Sequence, residues 1–155
     1  MSTIRPATAL LDTNILVRAA VVGDPNRQLA IDAIGKLEQS GVFLFICPQN
    51  MQEFRQVATR PLASNGLGWS SDDTASILSQ FEQRFTLLTE TARIYPSWRR
   101  MVEATQAMGR ANFDARLVAI AALAEIESVV TFEDRAFARY AAEAPGLKIV
   151  HPRDV

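Results

Sequence analysis

A continuous apolar run is the feature that most constrains the fold of this chain. Residues 42–47 read VFLFIC, with no polar residue to mark a side that faces solvent. The run is too short for a stable buried helix, whereas a strand covered on both faces needs apolar side chains throughout. We therefore expect an interior strand of a parallel sheet over Val42 to Cys47, with helices packed on both faces.

The rest of the sequence alternates in the same way between short apolar segments and helical patterns. Further strands are expected at 8–11, 128–132 and 147–152, with a short one in FTLLT at 85–89. Amphipathic or capped helical patterns cover 13–22, 27–39, 48–60, 71–84, 97–108, 113–125 and 133–144. Strands joined by helical crossovers predict an α/β fold with a mostly parallel sheet.

Composition narrows the class of protein further. The 155 residues suit a single domain over 1–155, and a net charge of -1 gives no overall field for nucleic acid. The lone Cys47 cannot form an internal disulfide, which fits a reducing, cytoplasmic setting. Pro6 and Asp12 interrupt the N-terminal segment, which therefore lacks the pattern of a secretory signal, and no apolar run is long enough to span a membrane. The single histidine, His151, argues against a histidine triad or a zinc cluster.

Acidic residues recur where predicted strands end, which is the edge at which open parallel sheets bind their ligands. Asp12 directly follows the first strand in ALLDTN. An aspartate there is a common helix N-cap, and it is equally placed to be a metal ligand. The sequence leaves both roles open.

Two further acids lie on helices that follow other strands. Glu53 falls on the flank of an apolar helical stripe, either near the predicted edge or paired with Arg55 or Arg60. Asp114 lies on the apolar face of a helix that we expect to bury Phe113 and Ala124. A carboxylate on such a face is costly unless it is paired or metal-bound, although the helix dipole also favours an acid in the first turn.

Glu133 and Asp134 follow the strand that ends in TF, either at the same edge as Asp12 or simply at the start of the next helix. Clustered carboxylates raise one another's pKa, and a divalent cation removes that cost. An oxygen-only donor set indicates Mg²⁺ or Mn²⁺. Such an ion binds a phosphate oxygen and lowers the pKa of a water, which is the chemistry of phosphodiester hydrolysis.

Five segments together resemble a known family. LLDTNILV, PQNMQEFRQV, FDARLVAIA, VVTFEDRAF and IVHP, in this order from about Thr8 to Pro152, are similar to the PIN-domain family, and within it to the VapC-type ribonuclease toxins of bacterial toxin–antitoxin pairs. The resemblance implies a three-layer α/β/α sandwich around a short parallel sheet. It also implies RNA cleavage with Mg²⁺ or Mn²⁺, a homodimer, and inhibition by a small antitoxin protein.

The resemblance also assigns roles to residues. Asp12 and Asp114 match metal ligands, and Glu53 matches an acid that binds metal or orients the water. Thr131 matches a hydroxyl near the site, and Asn14 matches a polar residue that steadies Asp12. The chain departs from the family after Thr131, because Glu133 replaces the usual Asp or Asn and Ala136 stands where a second Asp often lies. The fourth acid is then Glu133 or Asp134.

The other interpretations are an inactive module and a different enzyme that has an aspartate after its first strand. The altered TFEDRAF segment also fits an inactive module that keeps the fold and binds RNA or a protein. A phosphatase of the haloacid-dehalogenase type needs a second aspartate where Asn14 stands, and a response-regulator receiver needs a lysine at a late strand end, which Lys148 matches poorly. Three aromatic residues are candidates to stack on RNA bases, although such side chains more often belong to a core or interface: Trp69, Tyr95 and Trp98.

Overall fold

The computed structural model describes residues 7–155, so that Pro6 and the five residues before it lie outside the described residues. Residues 7–155 form five strands and seven α-helices. The strands are β1 (Thr8–Leu11), β2 (Phe43–Ile46), β3 (Thr86–Leu87), β4 (Ser128–Val130) and β5 (Lys148–Val150). The helices are α1 (Thr13–Ala20), α2 (Arg27–Gln39), α3 (Pro48–Thr59), α4 (Ser71–Arg84), α5 (Ile94–Thr105), α6 (Ala111–Leu123) and α7 (Asp134–Ala141).

The sheet is entirely parallel, in the order β3-β2-β1-β4-β5. Both β1 and β2 are interior strands, which confirms the prediction made from the VFLFIC run. The chain first builds the sheet outward from β1 through β2 to β3, and then returns to add β4 and β5 on the other side of β1. The order reverses between β1 and β4, and ligands of such sheets bind at the carboxyl ends of strands at a reversal of this kind.

Side chains of β1 alternate between two separate hydrophobic cores. Leu10 faces a core built with α5, α6 and α7, whereas Ala9 and Leu11 face a core built with α1, α2, α3 and α4. Successive side chains of a strand point to opposite faces of a sheet, so each face is covered by its own layer of helices. The predicted α/β/α sandwich is therefore confirmed.

Besides shifts of one to three residues at the ends of several elements, two differences from the expectations have a clear physical reason or bear on the site. α5 begins three residues earlier than predicted, because Pro96 lies in its first turn, where no backbone N–H is needed. It ends at Thr105, because its C-cap Gln106 has a φ of 55°. Phe113 and Ala124 are exposed rather than buried. Phe113 lies in the first turn of α6 and Ala124 is its C-cap. Within residues 7–155, no helix has the length and apolar character to cross a membrane.

Candidate active site at the carboxyl edge of the sheet

Asp12 has the first of the two roles that the sequence left open, and its role as a metal ligand stays a prediction. It is the N-cap of α1, and its Oδ1 accepts a hydrogen bond from the backbone N–H of Thr13 at 2.7 Å. Its Oδ2 accepts a hydrogen bond from Oγ1 of Thr131 at 2.6 Å. The residue is only 6% exposed. Each carboxylate oxygen carries a further acceptor position, so capping does not prevent Asp12 from binding a cation.

Burial makes the charge on Asp12 expensive. Loss of hydration raises the pKa of Asp12 to about 7, from an ordinary value of 3.8. The hydrogen bond from Thr131 acts in the opposite direction, while the negative charges of Asp114 and Glu53 raise the pKa further. These two acids therefore lie within electrostatic reach of Asp12, although they belong to separate helices.

The position of Asp12 is fixed from β4 as well as from α1. The backbone N–H of Asp12 donates to the carbonyl of Val130, and the next residue, Thr131, is fully buried. Asn14 lies one step further out, because its Nδ2 donates to Oγ1 of Thr131 at 3.3 Å and its Oδ1 accepts from the backbone N–H of Phe132. Asn14 thus supports Asp12 through Thr131 rather than by direct contact.

Asp114 lies in the first turn of α6 and is half-buried. Loss of hydration, followed by the charges of Glu53 and Glu133, raises the pKa of Asp114 to about 6, and Arg110 offsets part of that rise. The pKa values of Asp12 and Asp114 are thus both displaced toward neutrality, and like charges contribute to both displacements.

Glu53 is held by a buried amide that the sequence analysis did not single out. Nε2 of Gln49 donates to Oε1 of Glu53 at 2.5 Å and to the carbonyl of Phe113 at 2.9 Å. Oε1 of Gln49 accepts from Arg116, whose other terminal nitrogen forms an ion pair with Glu90 at 2.9 Å. Gln49 therefore ties α3 to the start of α6 and places Glu53 beside Asp114.

The ion pairs considered for Glu53 are replaced by other contacts. Arg55 donates to the hydroxyl of Ser71, and Arg60 donates to the backbone carbonyl of Asn65. The two arginines thus bind to the first residue of α4 and to the loop before it. Neither arginine pairs with Glu53, whose negative charge acts on Asp114 instead.

The two acids before α7 differ in their surroundings. Glu133 is exposed, its backbone N–H donates to Oγ1 of Thr131, and its charge raises the pKa of Asp114. Asp134 is the first residue of α7 and is half-buried. Glu133 is thus the member of the pair that acts electrostatically on the cluster, and a catalytic role for either residue stays a prediction.

A second polar chain supports Asp12 from β2. Nδ2 of Asn50 donates to Oγ1 of Thr13 at 3.1 Å, and Oδ1 of Asn50 accepts from both the backbone N–H and the Sγ of Cys47. Asn50 is fully buried. The sequence signal for Gln49 and Asn50 was their place directly after a strand, the same signal that identified Asp12.

The donor set at this edge suits a hard divalent cation. It consists of carboxylate oxygens, with hydroxyl and amide groups behind them. Among residues 7–155, no three His, Cys, Asp or Glu side chains are placed to hold a metal ion together. Mg²⁺ commonly binds through one or two carboxylates and keeps several waters, so the pair Asp12 and Asp114 fits it.

Acidic side chains gathered at the carboxyl edge of an all-parallel sheet define a class of α/β proteins with a carboxylate-lined site. Within that class, the family model of the PIN domain matches residues 9–143. The chain belongs to the PIN domain family, which confirms the resemblance seen in the sequence motifs. PIN domains are typically nucleases.

Solved structures with the same fold include several complexes. The chain is 18% identical to a chain of VapBC2 from Rickettsia felis bound to a DNA fragment from their promoter, with a TM-score of 0.66 over 93% of this chain and 98% of that one. VapBC-1 from nontypeable Haemophilus influenzae gives 14% identity and a TM-score of 0.66, over 94% and 98%. FitAcB from Neisseria gonorrhoeae gives 18% and 0.59, over 95% and 99%. No curated protein sequence matches the chain.

Proposed function

We propose that this protein is a Mg²⁺- or Mn²⁺-dependent endoribonuclease and the toxin of a type II toxin–antitoxin pair. One observation carries the proposal. Asp12 and Asp114, from separate elements, are buried far enough that the pKa of each is raised toward neutrality, in part by neighbouring acids. An arrangement that costs this much without a cation is expected of a site that binds one.

The roles of the residues follow from their positions. Asp12 and Asp114 would hold the ion, which when bound supplies charge for a phosphate oxygen and a water of lowered pKa. Thr131 and the N-terminus of α1 keep Asp12 oriented, and Gln49 keeps Glu53 in place to orient the attacking water. Glu133 is the fourth acid at the exposed rim, with Asp134 as the other candidate.

The biological setting is proposed from the family and from the neighbours. Structures named VapBC and FitAB share the fold, and the motifs of this chain resemble the VapC type. We propose RNA as the substrate, a small cognate antitoxin protein as the partner, a homodimer as the assembly and the cytoplasm as the location. A single PIN-like domain then spans residues 1–155.

Cleavage of single-stranded RNA tests the enzymatic part. The purified protein should cut RNA with Mn²⁺ and stop when a chelator is added. Asp12→Asn should lower the rate by about 100- to 1,000-fold, since a metal contributes several kcal/mol to such a reaction. Asp72→Asn, which changes an exposed acid of α4, is the matched control and should leave the rate unchanged. Equal rates for all three proteins would contradict the proposal.

Expression in a bacterial host tests the toxin part. The wild-type chain should arrest growth, and Asp12→Asn at the same protein level should not. If the host grows normally while it contains soluble, active enzyme, the protein is a nuclease but not a toxin, and the toxin part of the proposal is wrong.

A catalytically inactive module is the second candidate. It is favoured by the substitution of Glu133 and Ala136 for the acids that family members often carry. Under this alternative, protein freed of any partner binds RNA or another protein yet cuts no RNA in Mn²⁺.

A further inference from the structure

An open cavity of about 370 Å³ lies beside the acid cluster, between the segment that precedes α5 and the start of α6. Its size falls at the lower end of the range of small-ligand pockets, roughly 300–1,000 Å³. Aromatic faces and a few polar groups line it: Tyr95, Trp98, Phe113, Glu90, Asn112 and Arg116.

The aromatic walls are unusually accessible. Tyr95 is 61% exposed and Phe113 is 50% exposed. Tyr95 packs against Trp98, with ring centroids 5.8 Å apart, and Nε1 of Trp98 is fixed by a hydrogen bond to the carbonyl of Asn112. The floor of the cavity is therefore held in place, while two aromatic side chains at its mouth present their surfaces to solvent.

Polar groups at the rim complete the lining. Arg116 uses one nitrogen for Gln49 and another for Glu90, and a guanidinium carries five N–H groups in all. Glu90 is partly exposed and offers acceptor oxygens. Flat apolar walls with donors and acceptors at one side match a planar ring that carries hydrogen-bonding groups on its edge.

The cavity and the acid cluster are linked through neighbouring residues. Phe113 lines the cavity and directly precedes Asp114, and its carbonyl accepts a hydrogen bond from Gln49. Gln49 joins Arg116 on the cavity side to Glu53 on the acid side. A chain molecule whose phosphodiester lies at the acids would therefore bring its neighbouring groups to this cavity.

We propose that the cavity is a subsite for one unpaired nucleobase of a single-stranded RNA, stacked on Tyr95 and Phe113 and contacted at its edge by Arg116 and Glu90. Unpaired bases stack on aromatic side chains, and their edges pair with polar groups. The proposal rests on the nuclease function, and it adds that the enzyme requires a base, not only a sugar-phosphate backbone, beside the bond that it cuts.

Fluorescence of Trp98 reports binding without any cleavage. The chain has two tryptophans, and Trp69 belongs to the core on the other face of the sheet, so Trp69→Phe leaves Trp98 as the only reporter. In this background and in a chelator, a single-stranded RNA octamer should change the fluorescence of Trp98. An abasic octamer with the same phosphates should bind more weakly, by about five- to 150-fold, the usual effect of losing one stacked base.

Variants of the cavity mouth sharpen the test. Tyr95→Ala should weaken binding of the octamer by a similar factor, and Tyr95→Phe should keep it, because the ring remains. Phe43→Ala is the matched control, since Phe43 is a 55% exposed aromatic residue at the amino end of β2, on the opposite edge of the sheet. In cleavage assays, Tyr95→Ala and an abasic nucleotide beside the cut bond should each lower the rate, and their effects should not be additive, because both remove the same stacking contact.

The outcomes separate this subsite from the nuclease function. The subsite is overturned if the octamer and the abasic octamer bind with the same affinity, or if Tyr95→Ala binds RNA as well as Phe43→Ala does. Either result stands even if the protein cuts RNA, and the cavity would then be a site for a side chain of a protein partner. Base-dependent binding that is lost in Tyr95→Ala, in a protein that cuts no RNA in Mn²⁺, supports the subsite and overturns the nuclease proposal.

Discussion

The acid cluster has an inner half and an outer half that are built differently. The inner half is Asp12 with Thr131, at the carboxyl ends of the central strands. It is buried, and both carboxylate oxygens of Asp12 have donors. The outer half comprises Glu53, Asp114 and Glu133, which are half-buried or exposed.

The difference indicates which half is pre-formed. Backbone groups and a fully buried threonine fix the inner half, so its geometry follows from the fold itself. The outer half includes two longer side chains, Glu53 and Glu133, and depends on one amide, Gln49, so it can adjust when a ligand arrives. Changes to the inner half should therefore cost both stability and activity, and changes to the outer half mainly activity.

The largest expected effect is a pH dependence that originates in the inner half. Burial raises the pKa of Asp12 to about 7 in the folded protein, and the unfolded chain has the ordinary value of 3.8. Between these values the folded state binds the extra proton, so the stability of metal-free protein falls as pH rises and levels off above 7. From pH 5 to pH 7.5 the loss should be about 3 kcal/mol, measured by urea unfolding in a chelator.

One substitution and one added ligand test whether Asp12 causes this dependence of stability on pH. Asp12→Asn should flatten it, leaving a smaller slope below pH 6 from Asp114, whose pKa is also raised. Mg²⁺ should restore stability at pH 7.5 and have little effect at pH 5. If the free energy of unfolding of Asp12→Asn varies with pH as it does in the wild type, another group causes the dependence.

Removing the hydroxyl of Thr131 breaks the inner half without removing a charge. Thr131→Val leaves Oδ2 of Asp12 buried without its donor, which should cost about 1–3 kcal/mol of stability and lower RNA cleavage roughly 10- to 100-fold. Thr74→Val is the control, because Thr74 is equally buried and donates to the backbone carbonyl of Ser70, the N-cap of α4. It should lose stability while cleavage stays normal. Equal cleavage by both variants would show that Thr131 has only a packing role.

Gln49→Ala tests the outer half. It removes the amide that holds Glu53 beside α6, so cleavage should fall by roughly tenfold while the affinity for Mn²⁺ changes little. Gln52→Ala, on the exposed side of the same helix, should have no effect on cleavage. If Gln49→Ala cuts RNA at the wild-type rate, cleavage does not depend on Gln49 holding Glu53 in place.

The smallest effect is expected at the exposed rim. Glu133→Gln should lower cleavage by about threefold, because water screens its charge. It should also lower the pKa of Asp114, seen as a shift of the acid limb of the pH–rate profile to lower pH. Asp134→Asn should not shift that limb. The opposite result would make Asp134 the fourth acid.

The sequence predicted the helices and strands better than the hydrogen bonds between side chains of different elements. The VFLFIC run and the alternation of helices and strands were enough for the sheet, because period and apolar character decide burial. Asp12 stood out because it interrupts an apolar segment, and Asp114 because it lies on an apolar face. Gln49 did not stand out, since its partners Phe113 and Arg116 lie on another helix, more than 60 residues away. Nor did periodicity reveal that Phe113 lies at the exposed end of α6.

The affinity for Mn²⁺ at pH 7.5 reports directly whether Asp12 and Asp114 together bind a divalent cation. Calorimetric titration should show binding to the wild-type chain and to Asp72→Asn with the same affinity. Asp12→Asn and Asp114→Asn should each weaken binding by about tenfold or more, since each removes a charged ligand. If all four proteins bind Mn²⁺ equally, the paired carboxylates are not a metal site, and the account given for this edge of the sheet is wrong.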